Sequence, residues 1–342
     1  MDVRIVVCGL GRVGKAFVNL LIRKDKDLQK RYGLKLKVVA AVDIGGAAVS
    51  PQGLPLPELM AHLEKGGQVE TLPAFGKKGY TGVEALSAPF TDLLVETTPT
   101  NIKDGEPGLT HLLTALKNQR HVVTAAKGPL VLRYGDLKAL AEKAQVRLMI
   151  SAATAAALPT LDVGLSCLAG TEVISAEGIL NGTTNYILTR MHEEGTPYAD
   201  ALAEAQRMGV AEPDPSLDVE GRDTANKILL IANEVFQAGL SLQDVSVTGI
   251  TKVTPEEIQQ AKKQGKVIKL IGKVERKEGK VVAGVAPLPL PADHPLANVR
   301  GTEKAISYLT DTMDRVTVSG GKSNPVGAAA ALLKDVIRIY KG

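Results

Sequence analysis

The sequence predicts an α/β protein in two parts. A doubly wound parallel sheet covers residues 1–150 and an α+β domain covers 151–325, with a C-terminal helix at 326–342 that packs back onto the first part. Three observations carry this expectation. An apolar run, a glycine turn, a helical pattern and a second apolar run follow one another over residues 3–43, which is one βαβ unit and implies parallel pairing. Strand and helix patterns then alternate to about residue 150. Beyond that point the alternation stops and a long hairpin reads as antiparallel.

Taken in order, VRIVVC at 3–8 is a continuous apolar strand, as expected for a strand covered on both faces. GLGRVG at 9–14 is the turn, and KAFVNLLIRK continues with helical spacing into the strand LKVVAAVD at 36–43. Residues 45–82 are rich in Gly and Pro and read as partly irregular, with one helix, PELMAHLEKG, at 57–66. DLLVETT at 92–98, HVVTAAK at 121–127 and RLMISAA at 147–153 read as strands. GLTHLLTALKNQ at 108–119 and YGDLKALAEKAQ at 134–145 are the helices between them. The second part opens with a helix at 158–168 and the strand-like TEVISAEGIL. Helices follow in NYILTRMHEE, PYADALAEAQRMG and TANKILLIANEVFQ at 224–237. VIKLIGKVERKEGKVVAGVAPLPL is a hairpin turning at Glu278-Gly279, AISYLT and RVTVSG are further strands, and GAAAALLKDVIRIYK is the last helix.

Composition excludes several classes of function. Lys and Arg total 41 against 37 Asp and Glu, and no basic block stands out, so nucleic acid is not the expected partner. Aromatic residues are 3% of the chain and Trp is absent, which leaves no base-stacking platform. No run approaches the roughly 18 apolar residues of a membrane helix, and MDVRIVVCGLG reads as a buried strand rather than a signal peptide. The two cysteines, Cys8 and Cys167, make neither a disulfide framework nor a metal pattern, so a cytoplasmic protein with reduced thiols is expected. Cys8 reads as a packed strand residue.

The glycines Gly9, Gly11 and Gly14, with Arg12 and Val13 between them, follow a strand and open a helix. In that context the pattern marks a Rossmann-type dinucleotide site. The glycines let the backbone turn tightly and approach a pyrophosphate, and the helix N-terminus supplies N–H donors. Asp43 ends the second strand, where an acid binds the ribose 2′-OH, although it lies further downstream than the usual ~20 residues. A carboxylate there repels a 2′-phosphate, and Ile44, Gly45 and Gly46 offer no basic residue to hold one, so NAD is favoured over NADP. Arg12 is the alternative phosphate holder. Thr97, Thr98 and Pro99, with Thr100 and Asn101, follow one strand at its carboxyl end, and Lys127 follows the next, so all face the same crevice.

The stretch AEPDPSLDVEGRDTANKILL at 211–230 gathers Glu212, Asp214, Asp218, Glu220 and Asp223 before Lys227. Asp223 and Lys227 are one helical turn apart, the spacing of a surface pair worth roughly 0.2–0.5 kcal/mol. Their neighbours Ile228, Leu229, Ile231 and Ala232 are those of a buried helix, and a lysine set there needs acids to answer its charge.

VETTPTNIKDGEPGLTHLLTALKNQRHVVTAAKGPL, GILNGTTNYIL and AEPDPSLDVEGRDTANK resemble homoserine dehydrogenase, and with the glycine turn the resemblance spans almost the whole chain. It implies NAD(P)-linked interconversion of L-homoserine and L-aspartate 4-semialdehyde, a small amino-acid substrate, and a homodimer built by the second domain, which then serves substrate binding and dimerisation. Carried over by position, Glu212 and Asp218 hold the substrate's amino end, Gly182 and Thr183 line its pocket, and Asp223 orients it. Lys227 gives the proton to the aldehyde oxygen, Lys127 assists, and Gly327 belongs to the C-terminal cofactor loop.

The chain departs from the family's pattern at several places. Ala126 stands where an asparagine usually precedes the lysine, and Val210 where a substrate-contacting tyrosine is usual. SAATAAALP lacks the acid near Ser151 found in a loop that binds a monovalent cation, so no metal is expected. The loop SGGKSNPVGAA replaces a GPGAG-like segment and brings Lys322 towards the cofactor. No regulatory amino-acid-binding extension is seen, so feedback by threonine through one is not expected. Two alternatives stay open on these residues: a paralogue acting on another amino alcohol or amino-acid semialdehyde, and a dinucleotide-binding sensor without turnover.

Overall fold

The computed structural model describes residues 1–321 and 324–341. It divides into two compact units, one formed by Met1–Ala156 with Asn324–Gly342, the other by Ala157–Ser323.

The first unit begins with β1 (Asp2–Cys8), α1 (Arg12–Tyr32) and β2 (Lys35–Asp43). It continues through β3 (Gly46–Val49), α2 (Leu56–Glu64), β4 (Gly76–Lys78), α3 (Gly82–Ser87), β5 (Leu93–Glu96) and α4 (Gly108–Lys117). β6 (His121–Thr124), α5 (Lys127–Lys143), β7 (Leu148–Met149) and α6 (Ser151–Ala155) complete its N-terminal portion. The sheet order is β4-β3-β2-β1-β5-β6-β7. The run from β2 to β7 is parallel, and β3 and β4 add an antiparallel edge. The parallel strands are mostly apolar and largely buried, with polar residues mainly near their ends, which explains why they show no clean alternation. The chain leaves β2 on one side of β1 and returns as β5 on the other. The two loops after β1 and β5 therefore part company at a topological switch point, where ligands bind in such sheets.

Two expectations for this unit are corrected. Residues 45–82 are more regular than their composition suggests, because β3 and β4 are three or four residues long and too short to show a period. RLMISAA is not one strand. β7 stops at Met149 and the chain turns into α6, where the Ser151 N–H and Oγ both donate to the carboxylate of buried Asp335, at 3.1 and 2.9 Å.

The second unit opens with α7 (Thr160–Asp162) and one wide helical turn, Val163–Cys167, in place of the single helix expected at 158–168. Gly164 there packs against Val235, so closely that a Cβ would stand 2.8 Å from its methyl group. β8 (Val173–Ile179), α8 (Gly182–Glu194), α9 (Tyr198–Arg207), α10 (Ser216–Val219) and α11 (Arg222–Val235) follow. Then come β9 (Val245–Val247), α12 (Pro255–Lys263), β10 (Lys266–Lys277), β11 (Lys280–Pro291), β12 (Lys304–Thr310) and β13 (Arg315–Gly320). The six-stranded sheet, ordered β13-β12-β8-β10-β11-β9, is antiparallel except at β11–β9. The β10–β11 hairpin turns at Glu278-Gly279, both at positive φ.

The chain then returns to the first unit as α13 (Pro325–Lys341), which packs against α1 and α6. Ala329, Leu332, Leu333 and Val336 enter the same apolar core as Phe17, Val18 and Leu21 of α1. Each of the larger side chains among them contributes roughly 1.5–3 kcal/mol by leaving water.

Candidate active site

The glycine turn sits where β1 meets α1. Gly9 has φ +89°, and a Cβ there would lie 2.7 Å from the Thr98 amide nitrogen. Gly14 abuts the Gly9 carbonyl at 2.0 Å by the same measure. These two glycines are required by packing. Gly11 is different, since a Cβ would meet nothing within 4 Å. A glycine with open space on its Cβ side fits close approach by an outside group, and at the N-terminus of a 21-residue helix that group is an anion such as a pyrophosphate.

Beside the turn lies a cavity of about 640 Å³, large enough for one half of a dinucleotide. Gly9, Asp43, Thr98 and Pro99 line it, and so do Tyr80 and His111, which sequence reasoning did not single out. Tyr80 comes from the Gly- and Pro-rich segment that carried no motif. Gly11, Arg12, Val13, Gly14 and Thr97 frame the turn rather than the cavity wall. Thr97 Oγ1 donates to the Gly9 carbonyl at 2.6 Å and so ties the two loops together. Lys127 is half-buried at the first turn of α5, with Thr100 near its amide. Gly327 lies in the first turn of α13, where its N–H is held by Asn324 Oδ1 at 2.7 Å, and it is not among the described residues that line the cavity. Lys322 lies outside the described residues.

Asp43 ends β2 with its carboxylate accepting from the Leu10 N–H at 3.1 Å and the Ile44 N–H at 2.9 Å. Two residues on, the Glu70 carboxylate packs over Gly45, 2.0 Å from where a Cβ would stand. The end of β2 thus carries a second acid that the sequence pattern did not reveal.

Beneath Thr98 is a buried knot. Glu96, fully buried at the end of β5, accepts from the Thr98 N–H at 2.7 Å and its hydroxyl at 2.5 Å, while His111 Nδ1 lies 2.8 Å from the other oxygen. Cys8 lies beside them, and its thiol is pushed well up, first by burial and then by the charges of Glu96 and Asp43. It is a packed thiol, not a reactive one.

The second unit builds the acid and lysine cluster. Asn181 caps α8, its Oδ1 accepting from the Thr184 N–H at 3.0 Å. Its Nδ2 donates to Asp218 at 2.6 Å and to Asp223 at 2.9 Å. Lys227 Nζ, on the inner side of α11, donates to Asp223 at 2.5 Å and to the Leu180 carbonyl at 2.7 Å. The side chains of Lys227 and Asp223 are only 13% and 15% exposed, so this is not the solvated surface pair that the spacing alone allows. Burial, and then the charge of Asp223, raises the Asp218 carboxyl above its ordinary value against hydrogen bonds from Asn181 and Thr183. Thr183 Oγ1 donates to the Val210 carbonyl at 3.1 Å, and Gly182 fits against the Thr302 carbonyl.

The structure therefore brings together Asp218, Asp223, Lys227 and Thr183. Glu212 is exposed on the loop after α9 and joins them through no hydrogen bond among the described residues. Asn181, which organises the group, was missed; its signal is an asparagine immediately before a helix start, the commonest N-cap.

A family model described as homoserine dehydrogenase matches residues 159–337. A homoserine dehydrogenase of Methanocaldococcus jannaschii is 41% identical over 336 residues, covering 98% of each chain. An NAD(+)-dependent homoserine dehydrogenase of Pseudomonas canavaninivorans is 34% identical, covering 99% of this chain and 97% of that one. The crystal structure of a homoserine dehydrogenase from Thiobacillus denitrificans superposes with a TM-score of 0.86 at 27% identity, over 100% of this chain and 74% of the other.

Proposed function

The chain belongs to the homoserine dehydrogenase family, and from that premise we propose that it interconverts L-homoserine and L-aspartate 4-semialdehyde with a nicotinamide dinucleotide, using Lys227 as the proton donor and acceptor. The observation that carries this reading is the buried Asp218–Asn181–Asp223–Lys227 cluster. The open side of Gly11 at the helix N-terminus fits a dinucleotide's pyrophosphate. When bound, the nicotinamide supplies the hydride acceptor for alcohol oxidation and the hydride donor for aldehyde reduction.

The chain's own groups handle the proton. An ammonium has three donors, and Lys227 spends two on Asp223 and the Leu180 carbonyl, leaving one for a substrate oxygen. In the reducing direction, Lys227 Nζ gives that proton to the aldehyde oxygen as hydride reaches the carbon, so no free alkoxide forms. In the oxidising direction, the same nitrogen takes the hydroxyl proton as hydride leaves the carbon. Asp218, and Glu212 from its loop, answer the substrate's α-ammonium. Lys127 is the assisting group this reading carries over, and a homodimer built by the second unit is the assembly it implies. Among the described residues β13 is an edge strand of its sheet, which suits such pairing. Among the described residues no helix is long and apolar enough to cross a membrane, and with the two unpaired cysteines this supports a cytoplasmic assignment.

NAD is the preferred cofactor on this reading. Asp43 and Glu70 both stand where a 2′-phosphate would bring two further negative charges. Homoserine oxidation followed with NAD and NADP in parallel should give a kcat/KM at least tenfold higher with NAD, and Asp43→Ala should narrow the ratio. Turnover with NADP alone would keep the reaction and reverse the assignment of Asp43, pointing to Arg12 or Lys322. Cofactor binding without turnover on any amino alcohol would instead support the sensor.

Asp218 allows a prediction in which stability and activity part. Its folded value lies above that of the unfolded chain, so folding favours its protonated form. Its effect on stability is therefore least harmful at low pH, and stability falls as pH rises from the ordinary carboxylate range through the raised value. Asp218→Asn removes that dependence and the repulsion from Asp223. It should melt no lower than the parent at pH 7 while raising the KM for homoserine about tenfold, with the KM for NAD unchanged. A lower melting temperature together with an unchanged homoserine KM would contradict both halves.

A further inference from the structure

We propose that a second, anion-binding site lies in the second unit, in the cavity between the C-terminal end of α8 and strand β10, where Lys269, His192, Lys262 and Arg300 receive a small oxyanion of the phosphate type. The cavity holds about 370 Å³, and all of its wall belongs to this unit. It shares no lining residue with the dinucleotide cavity and contains none of the cluster around Lys227.

The floor is Lys269, 1% exposed on the central strand β10. Its Nζ donates to Asn185 Oδ1 at 3.0 Å and to the Val299 carbonyl at 2.5 Å, both neutral acceptors. No carboxylate pairs with it among the described residues, and its third donor remains for the cavity it lines. Buried lysines are seldom left without a counter-charge, because desolvation penalises the ammonium heavily. Burial, against a smaller opposing effect of the nearby Glu193 carboxylate, pulls this ammonium down to about 8.

The wall adds independent signs of a missing ligand. His192 Nδ1 is buried and has no hydrogen-bond partner among the described residues, although unsatisfied buried polar atoms are uncommon. Its imidazole is held below its ordinary value, first by burial and then by Lys262 and Lys269, so the ring is neutral at pH 7 and one of its nitrogens can donate. Lys262 Nζ donates to the His192 carbonyl at 2.8 Å, which satisfies the helix end and sets its charge at the rim. Exposed Arg300 also lines the cavity, 3.3 Å from Glu193, the one acid among its described lining residues. Three cations therefore face one carboxylate. A phosphate-type oxyanion would give Lys269 the directly bonded counter-charge that its neutral acceptors do not supply.

The test is calorimetric titration of the full chain with inorganic phosphate, at constant ionic strength and in saturating NAD so that the pyrophosphate site is filled. The expected result is one saturable site per chain. Lys262→Gln/Arg300→Gln, a change confined to exposed residues, should weaken it at least tenfold while leaving the melting temperature and NAD affinity unchanged. Lys269→Met, which keeps the stem and removes the charge, should abolish it; if that variant fails to fold, the rim variant decides. Absence of saturable binding in the parent chain, or equal affinity in the rim variant, would overturn the proposal.

Discussion

Lys227→Met should lower kcat for homoserine oxidation by about 10²–10⁴-fold, the range contributed by a positioned general acid or base. NAD should bind as before. Methionine keeps much of the stem's volume, so the buried inner side of α11, where Ile228, Leu229 and Ile231 are essentially inaccessible, stays packed. What is lost is the group that reaches both Asp223 and the Leu180 carbonyl. Lys227→Arg should be nearly as inactive. A guanidinium keeps the charge but does not release a proton near neutral pH, and its planar fork does not fit a position shaped for one nitrogen. In Lys227→Ala, added methylamine should restore part of the rate, since a small amine can occupy the vacated space and carry the same proton. A Lys227→Met variant within a few-fold of the parent would remove Lys227 from the mechanism. Full inactivity without amine rescue, together with a collapsed melting temperature, would make its role structural.

How far this site was legible depends on which interactions were local. Asp223 and Lys227 are one helical turn apart, and the apolar residues after them announce a buried helix, so their pairing could be read directly. Asp218 is close in sequence and follows the same logic. Asn181 could not be found that way. It meets Asp218 and Asp223 across 37 and 42 residues, and only the fold brings the start of α8 against α10 and the first turn of α11. The parallel strands were readable because burial on both faces makes their central positions a run of apolar residues. β3 and β4 were not, since so few residues at a sheet edge carry no period. RLMISAA misled for a related reason: its apolar run suits a strand, but a tertiary contact from Asp335, far along the chain, ends that strand early. The glycine turn itself was legible, while the division of labour within it was not. Only the structure separates Gly9 and Gly14, which packing demands, from Gly11, which faces open space.

His111→Ala should lower the melting temperature by about 6–20 °C and weaken NAD binding, although His111 belongs to no cofactor motif. The argument starts from Glu96, fully buried with both oxygens engaged. One oxygen holds the Thr98 N–H and hydroxyl and so fixes the loop that lines the dinucleotide cavity. The other has His111 as its partner. Deleting the imidazole leaves that oxygen buried without a donor. Losing one member of a buried pair costs about 3–5 kcal/mol, and each kcal/mol moves the melting point of a unit this size by about 2–4 °C. The carboxylate can escape the penalty by turning towards solvent, but that releases Thr98 and loosens the cavity wall. The stability and binding losses should therefore appear together. His111→Asn, whose amide can still donate to Glu96, should recover much of both. His111→Leu combined with Glu96→Leu should be milder for stability than His111→Ala alone, because removing both partners leaves no orphaned charge, yet it should still weaken NAD binding, since Thr98 has lost its anchor. A His111→Ala variant that melts within 2 °C of the parent and binds NAD equally well would show that the knot beneath Thr98 is incidental packing.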